Sequence, residues 1–315
     1  MINGHADTSA INNSMAAQRP ALLVPGDCIA IVSPASAIDP NLVAGAVETL
    51  RALGYTPRVS PHALDRHGSY SGSADERLAD MTAALSDPDV KAILCSRGGY
   101  GAVQLLERLR PVLTKYTPKW LIGFSDISVL HALWCRRGIA GIHGSMAKQL
   151  AAGVDTEATR RLMHILTTGH NELSWHTAST VANRSGHATA PLKGGNLAVL
   201  DALIGTDFSA IAPGDILFIE DVAEPIYKIE RMLYHMKLSG LLSQLSGLIV
   251  GRFTDYRPDA NHDSMESMVA GMVAEYDFPV AYDAPIGHTG GSNMPVIHGV
   301  VTDLTVEAVS CCVRQ

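Results

Sequence analysis

Along the first half of the chain, short apolar runs alternate with stretches whose apolar residues recur every three or four positions. That pattern predicts strands alternating with amphipathic helices. Residues 27–32 read as a strand stopped by Ser33-Pro34. Asp39-Pro40 then opens a helix carrying Leu42, Val43, Ala46, Val47, Leu50 and Leu53, which Gly54 ends. Ser73 and Glu76 form a capping box before a second helix with Leu78, Met81 and Leu85. Residues 90–95 form a buried strand, followed by the loop Ser96-Arg97-Gly98-Gly99-Tyr100-Gly101 and a third helix with Val103, Leu106 and Leu109. Residues 119–124 form a further strand that runs straight into Ser125 and a helical pattern of Ile127, Leu130, His131 and Trp134. Repeated βα units of this kind predict a doubly wound parallel sheet covered by helices, with ligand sites beyond the carboxyl ends of its strands. Ser125 and the Gly98-Gly99 loop both fall there.

Residues 151–190 are more polar, with Ser, Thr, Asn and His gathered between Trp175 and Thr189, and read as a connection between domains. The second half opens on Lys193-Gly194-Gly195-Asn196-Leu197. It predicts strands at 215–219, 247–250 and 279–282 and helices near 227–238 and 264–275. Its loop richest in glycine and polar residues runs Pro285-Ile286-Gly287-His288-Thr289-Gly290-Gly291-Ser292-Asn293. The expected division is a leader over 1–20, an N-terminal domain over 21–150, the connection, and a C-terminal α/β domain over 191–315. The leader is Asn-, Ser- and Ala-rich and lacks the charged-then-apolar order of a secretory signal, so it is expected to be disordered.

Composition narrows the function. The 315 residues are 47% apolar and 17% charged, a globular composition with room for two domains. A net charge of −7, with no run of Lys or Arg, argues against nucleic acid as a partner. No apolar stretch approaches the roughly 18 residues of a membrane span. Five cysteines without metal-ligand spacing read as free thiols in a cytoplasmic protein.

Ser125 sits where a strand turns sharply into a helix, and a serine there has an exposed hydroxyl beside helix N–H groups able to hold an oxyanion. A helix-capping serine has the same local sequence. A nucleophile needs a base, and 13 histidines offer themselves. His131, His164 and His235 fall in helical patterns, and His143 and His298 lie near apolar strands, where structural roles suit them. His288, flanked by glycines in a loop after a strand, is the best-placed base. Glu220 ends an apolar strand, where a buried carboxylate needs a partner, and is the best orienting acid. Asp221 and Glu224 compete with it on spacing alone. Metal chemistry lacks support: there is no H-E-x-x-H, no C-x-x-C and no histidine pair at helical spacing beside an acid. Dinucleotide binding is weakened by Gln104 in the third glycine position of Gly99-Tyr100-Gly101-Ala102-Val103-Gln104.

Five ordered motifs together resemble the LD-carboxypeptidase family of serine peptidases. They are Ser96–Gly101, Gly123-Phe124-Ser125-Asp126, Gly194-Gly195-Asn196-Leu197, Ile219-Glu220-Asp221 with Glu224-Pro225 and Ile229-Glu230-Arg231-Met232-Leu233, and Gly287-His288. The likeness spans residues 25 to 310. It implies a Ser-Glu-His triad on Ser125, Glu220 and His288, with the active site at the interface of two domains. It also implies an oxyanion hole from the Gly99 and Asp126 amides and no metal or other cofactor. The implied substrate is a murein tetrapeptide that loses its terminal D-alanine in cytoplasmic cell-wall recycling, and a homodimer is common in the family. A carboxypeptidase must bind a free carboxylate, for which Arg97 and Arg252 are the candidates. Two other functions compete: a microcin C immunity-type peptidase acting on peptidyl-nucleotides, and a non-catalytic peptide-binding protein. The residue at the third peptide position is left open by the sequence.

Overall fold

Beta strand β1 (Cys28–Val32) is buried along its whole length, and its side chains alternate between two apolar layers. The computed structural model describes residues 16–178, 181–290 and 292–315. After β1 come α1 (Pro40–Ala52), β2 (Thr56–Val59), α2 (Ala74–Ser86), β3 (Val90–Cys95), a short α3 (Leu106–Leu109), β4 (Trp120–Gly123), α4 (Ser128–Arg136) and β5 (Gly141–His143). Asp39 caps α1 by accepting the Asn41 N–H, and Pro40 occupies the first turn, where its missing N–H costs nothing. The Ser73–Glu76 capping box closes both of its hydrogen bonds. The third expected helix is mostly a 3-10 turn over Ala102–Leu105, leaving only four residues for α3.

Strands β5, β4, β3, β1 and β2 lie side by side in that order, all parallel. Helices α2, α3 and α4 pack on the layer reached by Cys28, Ala30 and Val32, and α1 packs on the layer reached by Ile29 and Ile31. The sheet is doubly wound, as the alternating pattern predicts. Its order reverses between β1 and β3, so the loops after β1, β3 and β4 open at one edge, the usual ligand position.

The expected connection is more structured than its polarity suggests. Helices α5 (Ala147–Leu150) and α6 (Glu157–Thr168) cover the α1 side of the first sheet. Leu162, Ile165 and Leu166 of α6 are fully buried there, each contributing about 1.5–3 kcal/mol by leaving water. Thr156 caps α6 and Gly169 ends it in the left-handed conformation. Residues 1–15 of the expected leader, residues 179–180 and Gly291 lie outside the described residues. Ala17 is hydrogen-bonded to Gly299 O, and Gln18 to Gly138 O.

A second sheet of seven strands follows the order β10-β9-β8-β7-β12-β13-β6. Its strands are β6 (Glu172–His176), β7 (Gly186–Asn196), β8 (Ile216–Val222), β9 (Gly247–Thr254), β10 (Val280–Ala281), β12 (Val301–Val306) and β13 (Ser310–Arg314). The run β7 to β10 is parallel, and β12, β13 and β6 continue it as an antiparallel meander. Helices α7 (Leu197–Asp201), α8 (Ile226–Leu238) and α9 (Met265–Met272) pack on one face. The remaining strand, β11 (Val296–His298), leaves this half of the chain and pairs antiparallel with β5 of the first sheet. No helix among the described residues is long and apolar enough to cross a membrane.

Candidate active site

Phe124 leaves β4 fully extended, and Ser125 then turns into the left-handed region at φ 63°. For a residue with a Cβ this conformation costs on the order of 1–3 kcal/mol, held by the surrounding structure. Ser125 begins a 3-10 turn to Ile127 that feeds α4, and neither element has a side-chain cap. The hydroxyl is therefore not serving as a helix cap, the reading the sequence left open.

The glycine loop after β3 lies directly against this turn. A Cβ at Gly98 would stand 2.8 Å from Ser125 Cβ and 3.2 Å from the Asp126 nitrogen, so only a bare backbone fits. The buried Asp126 carboxylate accepts the Ala102 N–H at 2.9 Å and clamps the loop to the serine turn. Burial pushes that carboxyl above its ordinary range, partly offset by the hydrogen bond from Ala102 and by Arg77.

Glu220 stands on β8 with its side chain fully buried. The β8–β9 register shifts at this residue, leaving Gly251 and Arg252 on β9 opposite Glu220 alone. Such a bulge re-aims the strand. Arg252 N–H donates to Ile286 O at 2.9 Å, which draws the following Gly287-His288 over the carboxylate. Gly251 permits that approach, since a Cβ there would lie 2.7 Å from Ile286 O. Asn293 Oδ1 accepts the Gly287 N–H at 2.9 Å and fixes the other side of the loop.

The result is a hydrogen bond of 2.7 Å between His288 Nδ1 and Glu220 Oε2. Burial pulls the imidazole down, but the Glu220 bond and charge reverse this and hold it above its usual value. An acceptor at Nδ1 places the proton there and leaves Nε2 as the free base. The Phe124 ring packs 5.0 Å from the His288 ring, so the residue preceding Ser125 supports the imidazole.

The seam between the sheets holds these parts in register. Ser128, three residues past Ser125, accepts the Asn196 N–H through its hydroxyl at 3.0 Å. Asn196 is the β7 neighbour of Glu220. A side chain at Gly195 (φ 141°) would collide with Ser128, and one at Gly194 with Phe218 O, so both glycines are needed for the close packing. Asp221 is engaged by Asn196 Nδ2 and by the Ala198 and Val222 N–H groups. Glu224 lies 3.2 Å from Lys228 Nζ. Of the three competing acids, Glu220 is the one joined to His288.

A cavity of about 540 Å³ opens beside Ser125, between Gly99, Tyr100 and Asp126 on one side and Asn196, Asp221 and Glu224 on the other. Arg97 and Arg252 lie outside its lining. Arg97 Nη1 donates to Ala37 O at 3.2 Å, and Arg252 Nη1 is paired with Asp283 at 2.8 Å. Among the described residues, His62, Asp65 and Glu76 bring ligand atoms within 4.8 Å of one another, and none of the three lines this cavity. Glu76 is already engaged in the α2 capping box.

Sequence reasoning missed Ser128 and Gly251 as parts of the site, and the contact of Phe124 with His288. Gly251 carried a usable signal, a glycine inside an apolar strand run. Phe124 and Ser128 carried none, because their roles depend on contacts across the two sheets.

The sequence matches the LD-carboxypeptidase N-terminal domain over residues 29–144 and the LD-carboxypeptidase C-terminal domain over residues 189–304. The chain belongs to the LD-carboxypeptidase family. As a member it is a peptidase. It is similar to the murein tetrapeptide carboxypeptidase of Pseudomonas aeruginosa, with 34% identity over 269 residues, covering 82% of this chain and 87% of that one. The solved muramoyltetrapeptide carboxypeptidase from Oxalobacter formigenes superposes with a TM-score of 0.81 at 25% identity, over 91% of this chain and 98% of that one. The microcin C7 self-immunity protein, solved with aspartyl sulfamoyl adenosine, gives a TM-score of 0.83 at 20% identity, over 96% and 98% of the chains. That last likeness is one of fold. The fold of this family member is thus common to both solved proteins.

Proposed function

We propose that this family member removes the terminal D-alanine from murein tetrapeptides by a serine mechanism, as a cytoplasmic enzyme of cell-wall peptide recycling. The observation that carries this reading is the Glu220–His288 hydrogen bond set beside the strained Ser125 turn. Ser125 Oγ attacks the carbonyl before the terminal D-alanine, and His288 Nε2 takes its proton. Glu220 keeps the imidazole in the correct tautomer and stabilises the imidazolium. The Gly99 and Asp126 amides receive the negative charge on the carbonyl oxygen, each donor being worth roughly 2.7–4 kcal/mol of barrier. Collapse of the intermediate expels the D-alanine amine, which takes the proton from His288. Water then attacks the acyl-enzyme with His288 as base, releasing the tripeptide and restoring Ser125.

Arg97 and Arg252 are the proposed partners of the terminal carboxylate. They adjoin the loops that carry Gly99 and His288. The likeness to a murein tetrapeptide carboxypeptidase at 34% identity, against 20% for the microcin C7 self-immunity protein, supports a murein peptide over a peptidyl-nucleotide. The test is to offer purified protein murein tetrapeptide and, separately, an aspartyl-adenylate analogue, and to analyse the products. Release of D-alanine from the tetrapeptide alone supports the proposal. Cleavage of the analogue alone replaces it with the peptidyl-nucleotide function.

A further inference from the structure

Strands β4 and β5 are parallel neighbours, so the turns that leave them open at the same edge of the first sheet. The turn after β4 carries Ser125, and the turn after β5 carries Ser145 and runs into α5 with Lys148 and Gln149. The Lys148 N–H donates to Ser96 O at 3.0 Å, which ties α5 to the start of the glycine loop facing Ser125. Ser145, Lys148 and Gln149 line a small cavity of about 210 Å³. Gly290, two residues past His288, lines it as well.

The polar groups of this cavity are donors that the fold itself does not use. Ser145 is buried, yet its hydroxyl makes no hydrogen bond among the described residues. Gln149 Oε1 accepts the Met146 N–H at 3.1 Å, while its Nε2 has no acceptor among them. Lys148 is exposed, and among the described residues no carboxylate pairs with it and none lines the cavity. Arg252, by contrast, is paired with Asp283, and Arg97 donates to Ala37 O. On His288, burial first and the Lys148 charge last act to lower the proton affinity, against the pull of Glu220, so the ammonium is within electrostatic reach of the imidazole.

The side of the scissile bond follows from the chemistry. His288 gives its proton to the departing D-alanine amine, so that residue lies on the His288 side, with its carboxylate one carbon beyond the amine. The larger cavity beside Ser125 is lined by neither His288 nor its loop, whereas the smaller one is lined by Gly290. A carboxylate accepts hydrogen bonds only, and an ammonium set among neutral donors matches it. We propose that Lys148, with the Ser145 hydroxyl, binds the terminal carboxylate of the leaving D-alanine, in addition to Arg97 and Arg252. This rests on the murein tetrapeptide reading above and adds to it the residue that tells a free carboxyl end from a blocked one.

The probes are murein tetrapeptide and the same peptide with its terminal carboxylate converted to the amide. Ser125→Ala serves as the binding background, titrated by calorimetry, and wild-type protein is assayed in parallel for D-alanine release. Ser125→Ala is expected to bind the acid more tightly than the amide. Adding Lys148→Met is expected to weaken the acid about tenfold or more, as loss of a charge-assisted hydrogen bond does, and to leave the amide little changed. Lys148→Arg, which keeps the charge, is expected to restore the preference. Equal weakening of both ligands, or of neither, overturns the proposal while wild-type release of D-alanine leaves the function standing. Absence of that release overturns the function, and this proposal with it.

Discussion

Gly287 passes so close to Glu220 that a Cβ on it would stand 2.8 Å from Glu220 Oε2, the oxygen that holds His288. Its φ of 117° also excludes an ordinary side chain. Gly287→Ala is therefore expected to displace His288 while the two sheets stay folded. The expected loss in kcat is about a hundredfold, the usual result of moving a catalytic group by an ångström. Steady-state kinetics beside circular dichroism checks both halves of that statement.

Glu220→Gln keeps the size of the side chain and removes its charge. The imidazolium formed during attack loses its counter-charge, and the tautomer is no longer enforced. Activity is expected to fall by roughly three to four orders of magnitude, with KM changed far less. A loss under tenfold would mean that Glu220 serves the fold rather than the reaction.

The pH profile follows from the His288 environment. Its imidazole is held above its usual value by Glu220, and it must be neutral to accept the serine proton. The rate is expected to fall as pH drops through a midpoint above 6.5, the ordinary histidine value. In Glu220→Gln burial acts without the opposing charge, so the residual activity should show its acid midpoint moved downward. A midpoint unmoved by the substitution would separate the acid limb from His288.

Stability has the opposite set of histidines behind it. His131, His143 and His298 are buried at the seam between the sheets. Burial pulls His131 down to about 4 and His143 and His298 well below 6.5. His298 Nε2 accepts the Gly194 N–H at 3.1 Å, which requires the neutral ring. Between the lowered folded values and the unfolded value near 6.5, the unfolded chain binds more protons. Stability is present above that window and is lost as pH falls through it. Each histidine adds a slope of up to about 1.4 kcal/mol per pH unit. Urea unfolding at pH 7.5 and at pH 5 measures the effect, and equal midpoints would contradict it.

How much of this was legible beforehand depended on how local each feature is. Helices α1 and α2 announce themselves through Asp39-Pro40 and Ser73-Glu76, because capping is a contact between near neighbours. The strand-to-turn junction at Ser125 is local too. Helix α6 had its Thr156 cap, its terminal Gly169 and a buried stripe, yet its polar surroundings hid it within an apparent connection. Strand β12 alternates buried and exposed residues in the ordinary way; one antiparallel partner, β13, follows it after a short turn, and the other, β7, lies far earlier in the chain. Strand β11 is three residues long, and its pairing with β5 joins positions more than 150 apart. His288 stands out by position within its own segment, whereas Glu220 has Asp221 and Glu224 as competitors on spacing alone. The bulge at Gly251 that brings them together is a property of two strands and a loop, which no single segment displays.

The most direct test of the account is mass spectrometry of murein tetrapeptide after incubation with wild-type protein and with folded Ser125→Ala. Wild type is expected to yield a product lighter by one alanine residue, and Ser125→Ala to leave the tetrapeptide intact. Full conversion by the folded Ser125→Ala protein would contradict the assignment of Ser125 as the nucleophile.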